Sequence, residues 1–214
     1  IKSSLTTCWY PKITDMTLDQ NGSNQTAGHC IDMTGWIGAR IIDIYGWRAK
    51  EADYYVPLNA PSQGEYIYLE RCIAGSGAVG FDLGAPHCFL DWCYACATTN
   101  TGFYIHGNKA DDIRLSFCDV DTGYYGYYIG GHEVGQVTLI GCQSWNTSTA
   151  AYIITEGISL SKHIHLIDCG VLAHTNDAFL VALFNSKEIK GLIMRDCYLR
   201  QAGGGTNYSF RIAT

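Results

Sequence analysis

Glu70 and Asp91 are the residues of this 214-residue chain whose types and spacing point most directly to chemistry. Each follows a leucine and stands two residues before a cysteine, in Leu69-Glu70-Arg71-Cys72 and Leu90-Asp91-Trp92-Cys93, so both hold the same place in one short pattern. If the two copies stack as neighbouring strands, the carboxylates lie roughly 5 Å apart, the separation of nucleophile and acid/base in a retaining glycosidase. Their repulsion would push one pKa upward, as acid catalysis requires. The plainer reading is a solvated ladder that tolerates mild repulsion.

A second set is Asp82, Tyr104 and Tyr128, which fall with Asp32, Pro57 and Ile154 in one outward column of another repeated strand. A carboxylate above two tyrosines offers ring faces to pyranoses and an acceptor to their hydroxyls. Against this, tyrosine is simply a good strand residue. In Tyr124-Tyr125-Gly126-Tyr127-Tyr128, alternation buries Tyr125 and Tyr127 and exposes Tyr124 and Tyr128. His163 and His165 with Asp168, and His174 with Asp177, are either an acid/base or ligand group or an ordinary polar surface. Cys93-x-x-Cys96 has metal-like spacing, but a zinc ribbon needs a second pair. No metal site and no cofactor are expected.

These residues must be positioned by a repeat. The pattern apolar-x-apolar-x-x-Cys-x-small/apolar recurs at Ile67-Leu69-Cys72-Ala74, Cys88-Leu90-Cys93-Ala95, Ile113-Leu115-Cys118-Val120, Val137-Leu139-Cys142-Ser144, Ile164-Leu166-Cys169-Val171 and Leu192-Met194-Cys197-Leu199. Two earlier copies keep the frame with a different keystone, Trp47 in Ile42-Ile44-Trp47-Ala49 and Asn21 in Met16-Leu18-Asn21. The period drifts through the twenties, as in a solenoid whose loops vary while its core strands do not. Apolar residues alternate within each copy, the period of a strand with one buried face. Between keystones lies a small-aromatic-x-aliphatic strand, as in Val79 to Leu83 and Gly102 to Ile105. Three short strands per period is the arithmetic of a parallel β-helix. The expected outward column beside the keystones reads Asp19, Tyr45, Glu70, Asp91, Ser116, Ile140, Ile167 and Arg195.

The fold expected is therefore all-β, a single-stranded right-handed parallel β-helix of about eight coils. Residues 1–13 form a lead-in or cap and 14–214 the helix domain, read as an excerpt of a longer chain or one whose ends an oligomer such as a homotrimer covers. The 16% of charged residues and 24 glycines suit a fold of many tight bends. A net charge of -6 argues against a nucleic-acid partner, and no apolar run is long enough for a membrane span. Six cysteines at one register position stack without converging as a disulfide requires, so they are expected as buried free thiols acting as small hydrophobes.

The runs MTLDQNGSNQTAGHCIDM, GARIIDIYGW, IRLSFCDV, VTLIGCQS and IHLIDCGV resemble the pectate-lyase-like superfamily of right-handed parallel β-helices, which includes bacteriophage tailspike depolymerases. The resemblance implies work on polysaccharides. Asp111-Asp112 and Gly130-Gly131-His132 echo motifs of polygalacturonase-type members. However, the aspartate pair precedes the wrong strand, and Asn100-Thr101-Gly102 lacks the family's aspartate, so that site is not transferred. Asp111-Asp112 reads as a solvated loop pair.

The sequence thus points to a protein that binds a polysaccharide or cell-surface glycan, outside the cell or on a virion surface. If active, it is a glycoside hydrolase or polysaccharide lyase with Glu70 and Asp91 as catalytic residues and Asp82, Tyr104 and Tyr128 binding substrate. The alternative is a non-catalytic structural or adhesive solenoid, such as a spike shaft.

Overall fold

A computed structural model of the chain describes residues 8–57, 65–107, 110–130, 134–155, 163–173, 177–182, 191–200 and 210–213. Every repeated apolar-x-apolar segment is a strand, and each pairs in parallel with its copies one period earlier and later. Lys12–Asp19, Arg40–Trp47, Ile67–Glu70, Cys88–Asp91, Ile113–Ser116, Gln136–Ile140, His163–Ile167 and Leu192–Arg195 stack in that order as the first sheet. A second sheet, past the keystones, takes the ends of Lys12–Asp19 and Arg40–Trp47, then Ile73–Gly75 and Tyr94–Cys96, continues into the first parts of the long strands Asp119–Ile129 and Gln143–Thr155, and ends with Gly170–Leu172 and Tyr198–Arg200. The third takes Ile31–Asp32, Ala52–Val56, Val79–Leu83, Thr101–Ile105, the second parts of the long strands, Asp177–Ala182 and Phe210–Ala213. The fold is a parallel β-solenoid of about six turns. No helix among the described residues is long and apolar enough to cross a membrane.

Turns are made at corners by residues in the left-handed region. The residue before each keystone has φ between +49° and +62° in all eight copies: Asp15, Asp43, Arg71, Trp92, Phe117, Gly141, Asp168 and Asp196. Asp and Gly tolerate this region; most side chains do not. A second corner column with φ > 0 holds Arg48, Ser76, Ala97, Thr122, Asn146 and Ala173, and a third, entering the first sheet, holds Tyr10, Gly38, Tyr66, His87 and Asp112.

Inside, the third sheet contributes a stack of rings, Tyr54, Phe81, Phe103, Tyr127, Tyr152 and Phe179, with successive centroids 4.6 to 5.1 Å apart. Each such pair adds about 0.5–1.5 kcal/mol beyond the area it buries. Buried tyrosine hydroxyls need partners. Tyr54 and Tyr152 donate to the keystone carbonyls of Ile44 (2.7 Å) and Cys142 (2.6 Å), and Tyr127 donates to that of Cys118. Small residues precede the rings because the second sheet crowds them: a Cβ on Gly126 would come within 2.3 Å of Ser144 Oγ.

The cysteines are free thiols, and Cys72, Cys93, Cys118, Cys142 and Cys169 are buried. They do more than fill space. Each Sγ donates to a carbonyl of the preceding turn: Cys72 to Ile41, Cys93 to Leu69, Cys118 to Leu90, Cys142 to Leu115 and Cys169 to Leu139, at 3.4 to 3.5 Å. The acceptor lies three residues before the keystone, where the chain turns the corner.

Several expectations need correction. Ile41 pairs with Leu69 and Gly46 with Ala74, so Ile44 rather than Trp47 takes the place of Cys72, and Met16 rather than Asn21 lies opposite Ile44. The corners are marked by Asp15 and Asp43, and the apolar-x-apolar pairs Met16-Leu18 and Ile42-Ile44 do not hold the register of the later copies. Tyr45 and Asp19 therefore leave the column of Glu70, and Ile42 and Thr14 replace them. In the third sheet Tyr55, not Pro57, precedes Asp82, and Ile153, not Ile154, follows Tyr128. Tyr125 is half-buried on the outside against Tyr128, because a register shift between Gly123 and Tyr125 breaks the alternation. The turns number about six rather than eight, since the end strands do not enclose a core: Met16 is 39% exposed, and Leu192, Met194 and Leu199 are only partly buried.

Candidate functional site

Glu70 and Asp91 are register partners on adjacent strands of the first sheet, and both side chains face outward. Arg71 clamps Asp43 with two hydrogen bonds, Nε to Oδ1 at 2.7 Å and Nη2 to Oδ2 at 2.8 Å, and its Nη1 donates to Glu70. The Arg71 hydrogen bonds hold the Asp43 carboxyl below its usual range and push the guanidinium up. Asp91 is exposed and makes no side-chain hydrogen bond or ion pair among the described residues. The two carboxylates are thus unequal: one rests against a cation, the other faces solvent.

Rings flank this pair on both sides. Towards the entering corner, Tyr68 stacks on Phe89 at 5.1 Å and Tyr66 on His87 at 4.7 Å. At the leaving corner Trp92 stacks on Phe117 at 4.7 Å, and Phe117 fills the space above Gly141. Trp92 is 63% exposed, Tyr66 and Phe117 are each 47% exposed, and Tyr68 is 42% exposed. Arg114 lies over the Phe89 ring at 5.8 Å while its Nε donates to Asp112 at 3.0 Å.

Trp92, Phe117, Tyr66 and His87 all have positive φ. For an L-residue that conformation costs roughly 1–2 kcal/mol, and a bulky residue there is an outlier. Four of the eight residues in the leaving-corner column avoid the cost by being Asp, and a fifth by being Gly. Among the described residues the corner between the second and third sheets carries no ring. Costly conformations that return little burial to the chain are the kind found at binding sites. Exposed ring faces on either side of two carboxylates can pack on the apolar faces of sugars while the carboxylates accept hydroxyl hydrogen bonds.

Asp82, Tyr104 and Tyr128 do form one outward column, with Tyr55 before them, but on the third sheet. They are not brought together with Glu70 and Asp91. Their polar groups are largely engaged with one another. His106 Nε2 lies 2.6 Å from Asp82 Oδ1, and the His106 ring stacks on Tyr104 at 4.0 Å. Tyr104 meets Tyr128 edge-on at 5.3 Å, and burial, with Tyr128 and Asp82 nearby, raises the Tyr104 pKa. His29 repeats the arrangement one step away, stacked on Tyr55 at 4.1 Å with Nε2 3.3 Å from Glu51.

His163 and His165 face outward with rings 6.3 Å apart, Asp168 occupies a corner, and Asp177 is buried with Arg211 Nη2 at 3.2 Å. His132 and His174 lie outside the described residues. Asp111 is no idle loop residue, since its Oδ1 accepts from the Gln136 N–H of the next turn at 2.7 Å. Among the described residues no cluster of three or more His, Cys, Asp or Glu side chains could hold a metal.

The flanking rings and Asp53 lie outside what the cysteine pattern and strand alternation single out. The rings were findable in the column just before the cysteines, where Trp92 and Phe117 replace the common Asp. Asp53 was findable too, as the one acid at a position otherwise Gly80, Gly102, Gly126, Ala151 and Ala178. It is fully buried. Its Oδ1 accepts from the Ala49 N–H at 3.0 Å and the Cys30 thiol at 3.3 Å, while Oδ2 faces the Gly75 to Gly77 backbone without a well-formed hydrogen bond. Burial raises its pKa to about 7. Near it opens a cleft of about 280 Å³ lined by Ser23, Arg48, Ala49, Lys50, Ser76 and Thr99, among others.

No family model, no curated protein and no solved structure matches this chain.

Proposed function

We propose that the chain binds a polysaccharide or cell-surface glycan on the outer face of the first sheet, and that Glu70 and Asp91 are the pair through which it would hydrolyse one. The observation that carries this reading is the band itself, two carboxylates in register between stacked, exposed ring pairs at both corners. Strands one rung apart separate such groups by about 4.8 Å, close to the spacing for double displacement with retention. In that scheme one carboxylate attacks the anomeric carbon while the other protonates the leaving oxygen and then activates water. A glycan partner also places the working protein outside the cell or on a virion surface.

A structural or adhesive solenoid is the second reading, and one observation favours it: Arg71 already engages Glu70. Reducing-end release from a panel of capsular and plant polysaccharides, with affinity electrophoresis on the same panel, separates the two. The proposal expects retardation by at least one polymer, and a loss of release of about 100-fold or more in Glu70→Gln and Asp91→Asn with retardation kept. Retardation without release in the wild type would make the protein a lectin-like binder. Neither retardation nor release would leave the shaft.

A further inference from the structure

Resting on that reading, we infer that Lys12 and Arg40, with the Tyr10 ring beside them, hold an anionic substituent of the glycan, a carboxylate, sulfate or phosphate group carried on a sugar next to the one between Glu70 and Asp91. Lys12 and Arg40 are register partners on the first two strands of the first sheet, and Arg40 is in turn the partner of Tyr68. All three are exposed, and the column continues to Phe89, so two cations are followed by two stacked rings. The Tyr10 ring, 74% exposed, lies over Gly38 at the entering corner, two residues ahead of Arg40. It offers a face to the sugar whose acid group the cations take. From Arg40 to Glu70 is one strand and two residues, about 8 Å from the strand spacing and the rise per residue. That distance puts the acid group on a neighbouring sugar rather than on the one between the carboxylates.

Charge is what marks the pair. The chain carries 20 acidic against 14 basic residues, and the guanidinium groups nearest the carboxylates are taken, Arg71 by Asp43 and Glu70 and Arg114 by Asp112. Lys12 and Arg40 make no ion pair or side-chain hydrogen bond among the described residues. Like charges on neighbouring strands repel, and an anion from outside the chain relieves that repulsion. A lysine on an end strand guards its edge against pairing, which accounts for Lys12 alone; Arg40 stands one strand further in. Between Glu70 and Asp91, by contrast, a sugar finds acceptors and no free cation. The polymer that fits therefore mixes charged with uncharged sugars. A charge on every sugar would set one of them against the carboxylates, and a polymer with none would leave the two cations unpaired.

The test is fluorescence titration of the whole chain, at low and at high salt, with the same polysaccharide panel extended by five probes. Dextran is uncharged; hyaluronan, κ-carrageenan and phosphomannan carry a carboxylate, sulfate or phosphate on some of their sugars; polygalacturonate is charged on every one. A polymer of the mixed kind should bind about tenfold more tightly than dextran and polygalacturonate, and the one that does names the group. High salt should shrink that preference. Arg40→Gln and Lys12→Gln should each cut it by about threefold to tenfold, and Arg40→Lys should keep part of it. Both side chains are exposed, so the melting temperature should not move. Lys50→Gln and Arg200→Gln, which remove the other exposed cations without an ion pair among the described residues, should leave the preference alone. Losses equal in all four variants, or absent in Arg40→Gln and Lys12→Gln, would overturn the inference, as would tightest binding to dextran or polygalacturonate. The proposed function would survive any of those results if release by the wild type were still lost in Asp91→Asn. Binding to no polymer of the panel would overturn the inference and the glycan reading together.

Discussion

A carboxyl group with no exposure and one oxygen lacking a good hydrogen bond is a strong determinant of how this solenoid responds to pH. Asp53 stays protonated in the folded chain until about pH 7, because burial penalises its charge more than the Ala49 N–H and its other donors stabilise it. Unfolded, it ionises near the ordinary aspartate value of 3.8. As pH rises between these values the unfolded chain sheds a proton that the folded chain keeps, so stability falls through that window and levels off above it. The full effect is on the order of 4 kcal/mol. Asp119, raised to about 6 mainly by burial, acts in the same sense. Asp53→Asn cannot ionise, so the variant should match the wild type near pH 4 and exceed it at pH 8, as read from urea unfolding midpoints. Equal midpoints for the two proteins at pH 8 would mean that Asp53 carries its charge inside without cost.

At the scale of the strand and its corner, the cysteine column decides what could be read in advance. Six cysteines in an apolar-x-apolar frame fixed the register of the strands from Ile67 onward, and with it the adjacency of Glu70 and Asp91. The first two turns were misaligned because their keystones are Met16 and Ile44, and what marks the corner there is the left-handed Asp before them. Strand alternation says which side chains face out. It says nothing of corner conformation, so alternation alone does not mark the rings at Tyr66, Trp92 and Phe117 as strained and displayed; for Trp92 and Phe117 the signal is the Asp they replace in the corner column. Nor does alternation separate a thiol that fills space from one that donates. Cys118 is wholly buried, with Sγ 3.5 Å from the Leu90 carbonyl, and burial pushes its pKa up. If the thiol were only a small hydrophobe, Cys118→Val would be mild and Cys118→Ser severe. Because it donates, Cys118→Ser should be the milder change, with Cys118→Val costing about 1–3 kcal/mol through the carbonyl left without its donor. Chemical denaturation of the two variants reads the order directly.

Across the whole molecule the same column puts one chemical reporter in each successive turn from Cys72 onward. Each turn contacts only its neighbours, so opening is expected to spread inward from the ends rather than strike all turns at once. The degree of enclosure agrees: inward residues such as Leu90, Leu115 and Leu139 are at most 1% exposed, while Leu18 and Met194 in the end strands are only partly buried. A thiol reacts as its thiolate and only when reached, so a maleimide meets Cys8, Cys96 and Cys197, which are half-buried, before the seven buried thiols. Among the buried keystones the labelling rate, followed by mass spectrometry of peptides, should be lowest at Cys93 and Cys118, which follow the fourth and fifth of the eight stacked strands, and higher at Cys72 and Cys169. A single shared rate for all of them would mean that the stack opens as one unit, and that the ring column from Tyr54 to Phe179 couples distant turns more tightly than nearest-neighbour contact allows.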